Sequence, residues 1–289
     1  MIDSAPSQAT SRSPRPRVAV IVPCYNDGAV LPDAVASVDG REDVELLVVD
    51  DGSSDSDTRR VLADLADRNV RVLRQDNAGL SAARMAGVSA TAAPYVYNLD
   101  ADDLAAPDAL ATMAGRLDAD PEAAVCYGDY REFGDLELIR LVPETIDPYR
   151  LAYTNEYPVT AMFRRDALLD AGGWRHLGAG YEDWGLWMEL AERGCRGVHA
   201  GPGVVTFHKR LHGQRMLGSA KAEHRALYHA LRREHPRLFA DIGVHRQHSS
   251  LSPTRKLLYP LVYGARPRYR FEARVKRWLD RVGIWTMRG

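Results

Sequence analysis

Apolar residues enter this chain in short unbroken runs. Val18 to Val22, Val44 to Val49, Val70 to Leu73 and Tyr95 to Leu99 are each rich in β-branched or aromatic residues. Between the runs the apolar positions switch to helical spacing. Leu31, Val35 and Val38 share a face closed by Gly40, and Val61, Leu62 and Leu65 share another. Asn77 to Arg84 opens a third helix. The pattern predicts β-α-β-α-β-α-β. Continuous apolar strands alternating with amphipathic helices form a parallel sheet covered on both faces, an α/β architecture.

Further along, Leu110, Met113 and Leu117 predict a helix ending at Asp120-Pro121, and Ala123 to Tyr127 another strand. Gly128 to Tyr157 has no clear period. Val159 to Phe163 reads as a strand, Arg165 to Ala171 as a short helix stopped by Gly172-Gly173, and Gly203 to Phe207 as a strand. A helix starting near Glu182 carries Leu186, Trp187 and Leu190 and ends near Gly194; Ala220 to Phe239 reads as a further helix. Near the end, Phe271, Val275, Trp278, Leu279, Val282 and Trp285 recur at threes and fours with Arg274, Lys276, Arg277 and Arg281 between them. That is a basic amphipathic helix, suited either to an anionic membrane surface or to packing on protein.

Composition narrows the class only modestly. The chain has 289 residues, 45% hydrophobic and 27% charged, with a net charge of −1. From Leu251 to Gly289 ten Lys/Arg stand against two Asp/Glu, a net of +8 that leaves −9 on the rest. An acidic body without a recognition module argues against nucleic acid as a partner. Cys24, Cys126 and Cys195 are scattered, which fits a reducing compartment and offers no metal-ligand spacing. Met1 to Arg17, rich in Ser, Pro and Arg, reads as a disordered tail. No run is long and apolar enough to span a bilayer. The expected location is the cytoplasm, or the inner face of the membrane through 267–287.

In a parallel sheet the ligand sits at the carboxyl ends of the strands. Three predicted strands end there in polar or acidic loops: Pro23 to Gly28, Asp50 to Asp55 and Asp100 to Asp103. Asp100, Asp102 and Asp103 crowd three carboxylates into four positions, which a divalent cation with hard-oxygen preference, Mg²⁺ or Mn²⁺, would compensate. Asp103 is open between this cluster and a cap of the next helix. Asp51 is open between a base or ribose contact and a turn. Neither G-x-G-x-x-G after the first strand nor G-x-x-x-x-G-K-[ST] occurs, so neither a dinucleotide fingerprint nor a P-loop is present. Glu182 and Asp183 follow Gly178 and Gly180 and are open between helix-dipole acids and a general base. His208, Lys209, Arg210 and His212 follow the predicted strand; such a cluster is open to holding a diphosphate, with one His on a metal, while for His208 and Lys209 a solvated basic loop is the expectation.

Taken in order, Pro23-Cys24-Tyr25-Asn26, Asp50-Asp51-Gly52-Ser53, Asn77 through Arg84, Asp100-Ala101-Asp102-Asp103, Phe163-Arg164-Arg165 through Gly172-Gly173-Trp174, and Glu182-Asp183-Trp184 make the chain resemble the family 2 glycosyltransferases of GT-A fold. The resemblance spans Val18 to Gln214. It implies a Rossmann-like, mostly parallel sheet flanked by helices, followed by a helical C-terminal extension. The implied division is a tail at 1–17, a catalytic domain at 18–218 with a nucleotide-sugar half (18–104) and an acceptor half (105–218), and a basic extension at 219–289. The implied activity is inverting transfer from a nucleotide-diphospho-sugar to a hydroxyl of a glycan, lipid-linked or small-molecule acceptor; a homo-oligomer is left open. Pro23, Tyr25, Asn26, Asp51, Gly79, Arg84 and Asp100 would meet the donor. Asp100, Asp102 and His212 would hold Mn²⁺ or Mg²⁺. Asp183 would be the base, with Glu182 its neighbour. Met85, Gly185 and Lys209 depart from the family's usual Asn, acid and Tyr. The alternatives are a non-catalytic nucleotide-sugar-binding protein and, with less support, a sugar nucleotidyltransferase, which would need a Gly-rich basic loop that Pro23 to Gly28 does not supply.

Overall fold

A computed structural model describes residues 16–38, 43–176, 180–211 and 224–263. The first hundred residues form the expected alternation: β1 Val18–Cys24, α1 Leu31–Ala36, β2 Val44–Asp50, α2 Ser56–Asp67, β3 Arg71–Arg74, α3 Leu80–Ala90 and β4 Tyr95–Asn98. β1 shows why. Ala19 and Ile21 pack into one apolar cluster, and Val18, Val20 and Val22 into the cluster on the opposite face. Every position of the strand is buried, which is the fate of a continuous apolar run in a doubly covered sheet. α3 lies so close that a Cβ on Gly87 would stand 2.3 Å from Ile21 Cγ2.

After β4 come β5 Leu104–Ala105, α4 Ala109–Ala119, β6 Ala123–Tyr127, β7 Asp129–Gly134, β8 Leu138–Arg140, α5 Pro148–Leu151, β9 Met162–Arg164, α6 Arg165–Asp170, α7 Glu182–Glu192, β10 Arg196–His199 and β11 Val205–Leu211. The main sheet runs β10-β6-β9-β4-β1-β2-β3, and a second sheet runs β5-β11-β7-β8. β9 is antiparallel to both β4 and β6; the other pairings in the main sheet are parallel. Strands from beyond residue 104 therefore complete the same sheet that the first half begins.

Several boundaries differ from the sequence reading. The unperiodic stretch Gly128 to Tyr157 holds β7, β8 and α5. β9 starts at Met162 rather than Val159, because only those residues reach β4 and β6. The helix expected over Ala220 to Phe239 is two: α8 His224–Glu234 and α9 Pro236–Ala240. Pro236 has no amide proton to continue the first helix and starts the second at its first turn. Two more helices, α10 Ile242–His248 and α11 Pro253–Tyr263, follow.

The C-terminal helices are bound to the body through named contacts. Tyr228 donates to Ala152 O at 2.7 Å, and Glu192 at the end of α7 accepts from Arg237 N and Leu238 N at 2.7 and 3.1 Å. The basic segment 267–287, Gly40, Gly178 and His212 lie outside the described residues. Among the described residues no helix is long and apolar enough to cross a membrane.

Candidate active site

β4 is fully buried and delivers the chain to the carboxyl edge of the sheet, where Asp100 to Asp103 turn back on themselves through a backbone bond from Asp103 N to Asp100 O at 3.0 Å. Oxygens of Asp100, Asp102 and Asp103 all lie within 4.8 Å of one another. Asp100 is held by Arg84, whose Nη2 donates to it at 2.8 Å, while Nη1 donates to Glu182 at 3.0 Å. Arg84 is 1% exposed and stacks over Trp174, 5.7 Å from the ring centre. Burial works against the charge of Asp100, but Arg84, with Lys209 and Asn98, outweighs it and holds the carboxyl below the usual range.

Asp103 does not cap α4. The residue before that helix is Asp108, at φ 58°, and its side chain makes no capping bond. Asp103 turns inward: it is 1% exposed, and its Oδ1 accepts from Arg210 N at 2.9 Å. Its Oδ2 is buried with no hydrogen-bond partner among the described residues. Burial, then the charges of Asp100 and Asp102, push its carboxyl well above the usual range. An orphaned buried oxygen among three hard-oxygen donors fits a divalent cation, which would relieve both the repulsion and the missing bond.

The base candidate arrives on a different element. α7 begins at Glu182, directly after Tyr181, which sits at φ 69° in the left-handed region. That conformation strains a bulky residue. It is held by a 2.8 Å hydrogen bond between Tyr181 Oη and His224 Nδ1 and by edge contact with Trp184. Trp184 is in turn anchored through Nε1 to Leu151 O at 2.7 Å. Asp183 Oδ1 accepts from Trp184 N at 2.8 Å and Oδ2 from Asn155 Nδ2 at 3.0 Å. Burial, and next the Glu182 charge, raise its pKa to about 6. That places the group where a carboxylate is a more effective proton acceptor than an ordinary surface Asp.

The donor-side candidates line the adjoining edge. Cys24 pairs with Asp50 in register, and Asp51 N donates to Cys24 O at 2.9 Å. Pro23 is buried at the end of β1, while Tyr25 is 46% exposed. Asn26, at φ 59°, accepts on Oδ1 from Ser54 N and Asp55 N, both at 2.9 Å, and ties the first loop to the second. Asp51 accepts from Gln75 Nε2 at 2.7 Å and from Ala78 N and Gly79 N at 2.9 Å. Its carboxylate fixes the loop that starts α3, and Gly79 takes φ +88° there. Asp50 binds Ser53 N and Arg74, at 2.8 and 2.9 Å.

Of the residues singled out in the sequence, the fold bonds Arg84 to Asp100 and Glu182, gathers Asp102 and Asp103 beside Asp100, and sets Asp183 directly after Glu182. It sets Pro23, Tyr25, Asn26, Asp51 and Gly79 along the neighbouring strand ends. One participant has no counterpart in the sequence: Asn155 comes from the unperiodic stretch and carries no signal. Lys209, open in the sequence between a diphosphate-binding cluster and a solvated loop, stands within β11, which continues through Leu211. The signal was present: Phe207, Lys209 and Leu211 share one strand face by period two, and Phe207 and Leu211 are buried. Lys209 therefore lies beside the acids. Burial opposes its charge, but Asp103, Tyr130, Asp100 and Asp183 outweigh it and raise its pKa.

Known proteins resemble this arrangement at two levels. The chain is 31% identical over 125 residues to glycosyltransferase GlyA of Streptococcus pneumoniae, covering 42% of this chain and 18% of that protein. It is 34% identical over 146 residues to the succinoglycan biosynthesis protein ExoO of Rhizobium meliloti, covering 46% and 42%. The match thus spans less than half the length of these curated relatives. In three dimensions it resembles S. aureus TarS 1-349 in complex with UDP-GlcNAc, with TM-score 0.61, 18% identity, and coverage of 93% of this chain and 80% of that one. It also resembles the mannosyltransferase PcManGT of Pyrobaculum calidifontis in complex with GDP-Man and Mn²⁺, with TM-score 0.55, 21% identity, and coverage of 92% and 88%. These likenesses establish the GT-A type fold. The profile described as Glycosyl transferase family 2 matches residues 19–170, more than half of the chain. With the expected motifs standing at the sheet edge that this fold uses for ligands, the chain belongs to glycosyl transferase family 2.

Proposed function

We propose that the protein is a metal-dependent inverting glycosyltransferase that uses a nucleoside-diphosphate sugar. The observation that carries this reading is the Arg84 bridge. It binds Asp100 of the acid cluster and Glu182 beside Asp183 at 2.8 and 3.0 Å, and so joins a cation-type donor set to a carboxylate of raised pKa. A scaffold protein has no need of that second group.

Asp100 and Asp102, with Asp103 behind them, would hold Mg²⁺ or Mn²⁺; His212, the other expected ligand, lies outside the described residues. When bound, the cation would compensate the negative charge that develops on the departing diphosphate. Asp183 takes the proton of the acceptor hydroxyl on Oδ1 or Oδ2 as that oxygen attacks the anomeric carbon. The hydroxyl oxygen–carbon bond forms while the carbon–phosphate oxygen bond breaks, and its electron pair leaves with the diphosphate. A single displacement inverts the anomeric centre, and no side chain becomes covalently attached. Asn155 and the Trp184 amide fix the Asp183 carboxylate, and Trp184 and Tyr181 hold the start of α7 in place. Donor-side contacts are assigned to Pro23, Tyr25, Asn26, Asp51, Gly79 and Arg84. Because Asp51 already accepts three protein hydrogen bonds, its share in base recognition runs through the loop it fixes or through its remaining lone pairs.

Nucleotide-sugars bound by the similar structures, UDP-GlcNAc and GDP-Man, make UDP- and GDP-sugars the first donors to try. A screen of such donors, with nucleoside diphosphate release as the readout, tests the reading. Release should cease in EDTA and return with Mn²⁺ or Mg²⁺. The sugar in the product should show the opposite anomeric configuration by proton NMR. Undiminished release in EDTA would remove the metal from the mechanism, and a retained configuration would remove the single displacement.

A further inference from the structure

Two cations act on both Asp100 and Asp183: Arg84 and Lys209. They are used differently. Arg84 is committed, one guanidinium arm to Asp100 and the other to Glu182. Lys209 sits in the middle of β11, partly buried, between Phe207 and Leu211 on its face of the strand. The next amide, Arg210 N, is bonded to Asp103, which fixes the strand against the acid cluster. Across the sheet, Phe207 is paired in register with Tyr130 and stacks on it at 4.8 Å. Among the described residues no hydrogen bond or ion pair engages the Lys209 ammonium, although several acids bear on it electrostatically.

A partly buried ammonium keeps its charge at a cost unless its protons find acceptors. It has three donors, no acceptor function, and no rigid geometry to satisfy. The acids around it have other partners: Asp100 has Arg84, Asp183 has Asn155 and Trp184 N, and Asp103 accepts from Arg210 N on Oδ1, its Oδ2 having no hydrogen-bond partner among the described residues. The donors are left for an oxyanion arriving between the acid cluster and the base. We infer that Lys209 binds a phosphate oxygen of the donor's diphosphate beside the Asp100–Asp103 site, so that the leaving group is held and partly neutralised by the protein itself. The inference rests on the diphosphate-donor reading above.

Calorimetry on the full chain with UDP, GDP and dTDP, in Mn²⁺ and again in EDTA, tests this. The nucleoside diphosphate that wild type binds best in Mn²⁺ should still bind measurably in EDTA. Lys209→Met should weaken binding in EDTA by about tenfold or more, the scale of one charge-assisted bond, and should weaken it less in Mn²⁺. Lys209→Arg should stay within about threefold of wild type, and the matching nucleoside without phosphates should bind all forms alike. Equal binding of the diphosphate by wild type and Lys209→Met in EDTA would overturn the inference. So would wild-type binding that vanishes without metal. If none of the three diphosphates binds wild type even in Mn²⁺, the donor reading itself fails. Should Lys209→Met not fold by circular dichroism, Lys209→Gln against Lys209→Arg carries the same comparison.

Discussion

Asp183 shows how a single carboxylate acquires a role from its surroundings. Burial and the neighbouring Glu182 charge lift its pKa to about 6, while two protein hydrogen bonds aim it. A base works only when deprotonated, so kcat/KM should rise about tenfold per pH unit below 6 and level off above it. Glu182→Gln removes the like charge, and the limb should move to lower pH; a limb that stays in place would contradict the electrostatic account. Stability has the opposite sign. A carboxyl whose folded pKa lies above its unfolded value contributes less stability as pH rises from the ordinary carboxylate range through about 6. At this scale the sequence identifies the acids that the fold brings to one sheet edge, but not the partners that hold them. A cap stays open for Asp103 in the sequence because capping needs only local spacing. Its actual partner, Arg210 N, is more than a hundred residues away, where no local pattern can point.

Elements with an unbroken apolar run or a clean helical period are readable in the sequence, and those that mix polar and apolar residues without a period are not. β1 to β4 and α1 to α3 follow from period and punctuation: β1 and β4 are buried throughout, β2 over its second half, and β3 at the sheet edge still keeps a short apolar run. β7, β8 and β11 of the second sheet mix buried, half-buried and exposed residues without an unbroken buried run. Polar residues therefore sit in genuine strands and read as loop, as at Lys209. α3 carries a prediction of its own. Gly87 is helical, so Ala would ordinarily favour the helix by roughly 1 kcal/mol. Here the added Cβ would lie 2.3 Å from Ile21 Cγ2 and 3.1 Å from Val49 Cγ2. Overpacking of this kind costs roughly 1–3 kcal/mol. Gly87→Ala should lower the melting temperature despite its better propensity; an unchanged or higher value would mean that α3 does not press on β1 this closely.

At the scale of the whole molecule, the doubly covered sheet brings the ends of β1, β2 and β4 to one edge, and β11 of the second sheet lies against the same acids. α7 is set against that edge by Arg84 from one side and by the C-terminal helices from the other, through Tyr181–His224 at its start and Glu192 at its end. That second attachment is invisible in the sequence, because His224 and Glu192 carry no motif and reach Tyr181 and Arg237 only through tertiary packing. The account stands or falls on Asp183 acting in transfer rather than in binding. Nucleoside diphosphate release by wild type and Asp183→Asn, measured with the preferred nucleotide-sugar, acceptor and Mn²⁺, tests this most directly. Loss of the general base should slow release about 10²–10⁴-fold, with donor affinity within about threefold of wild type, since the substituted oxygen is assigned to the acceptor and not to the diphosphate. Undiminished release by Asp183→Asn would contradict the account.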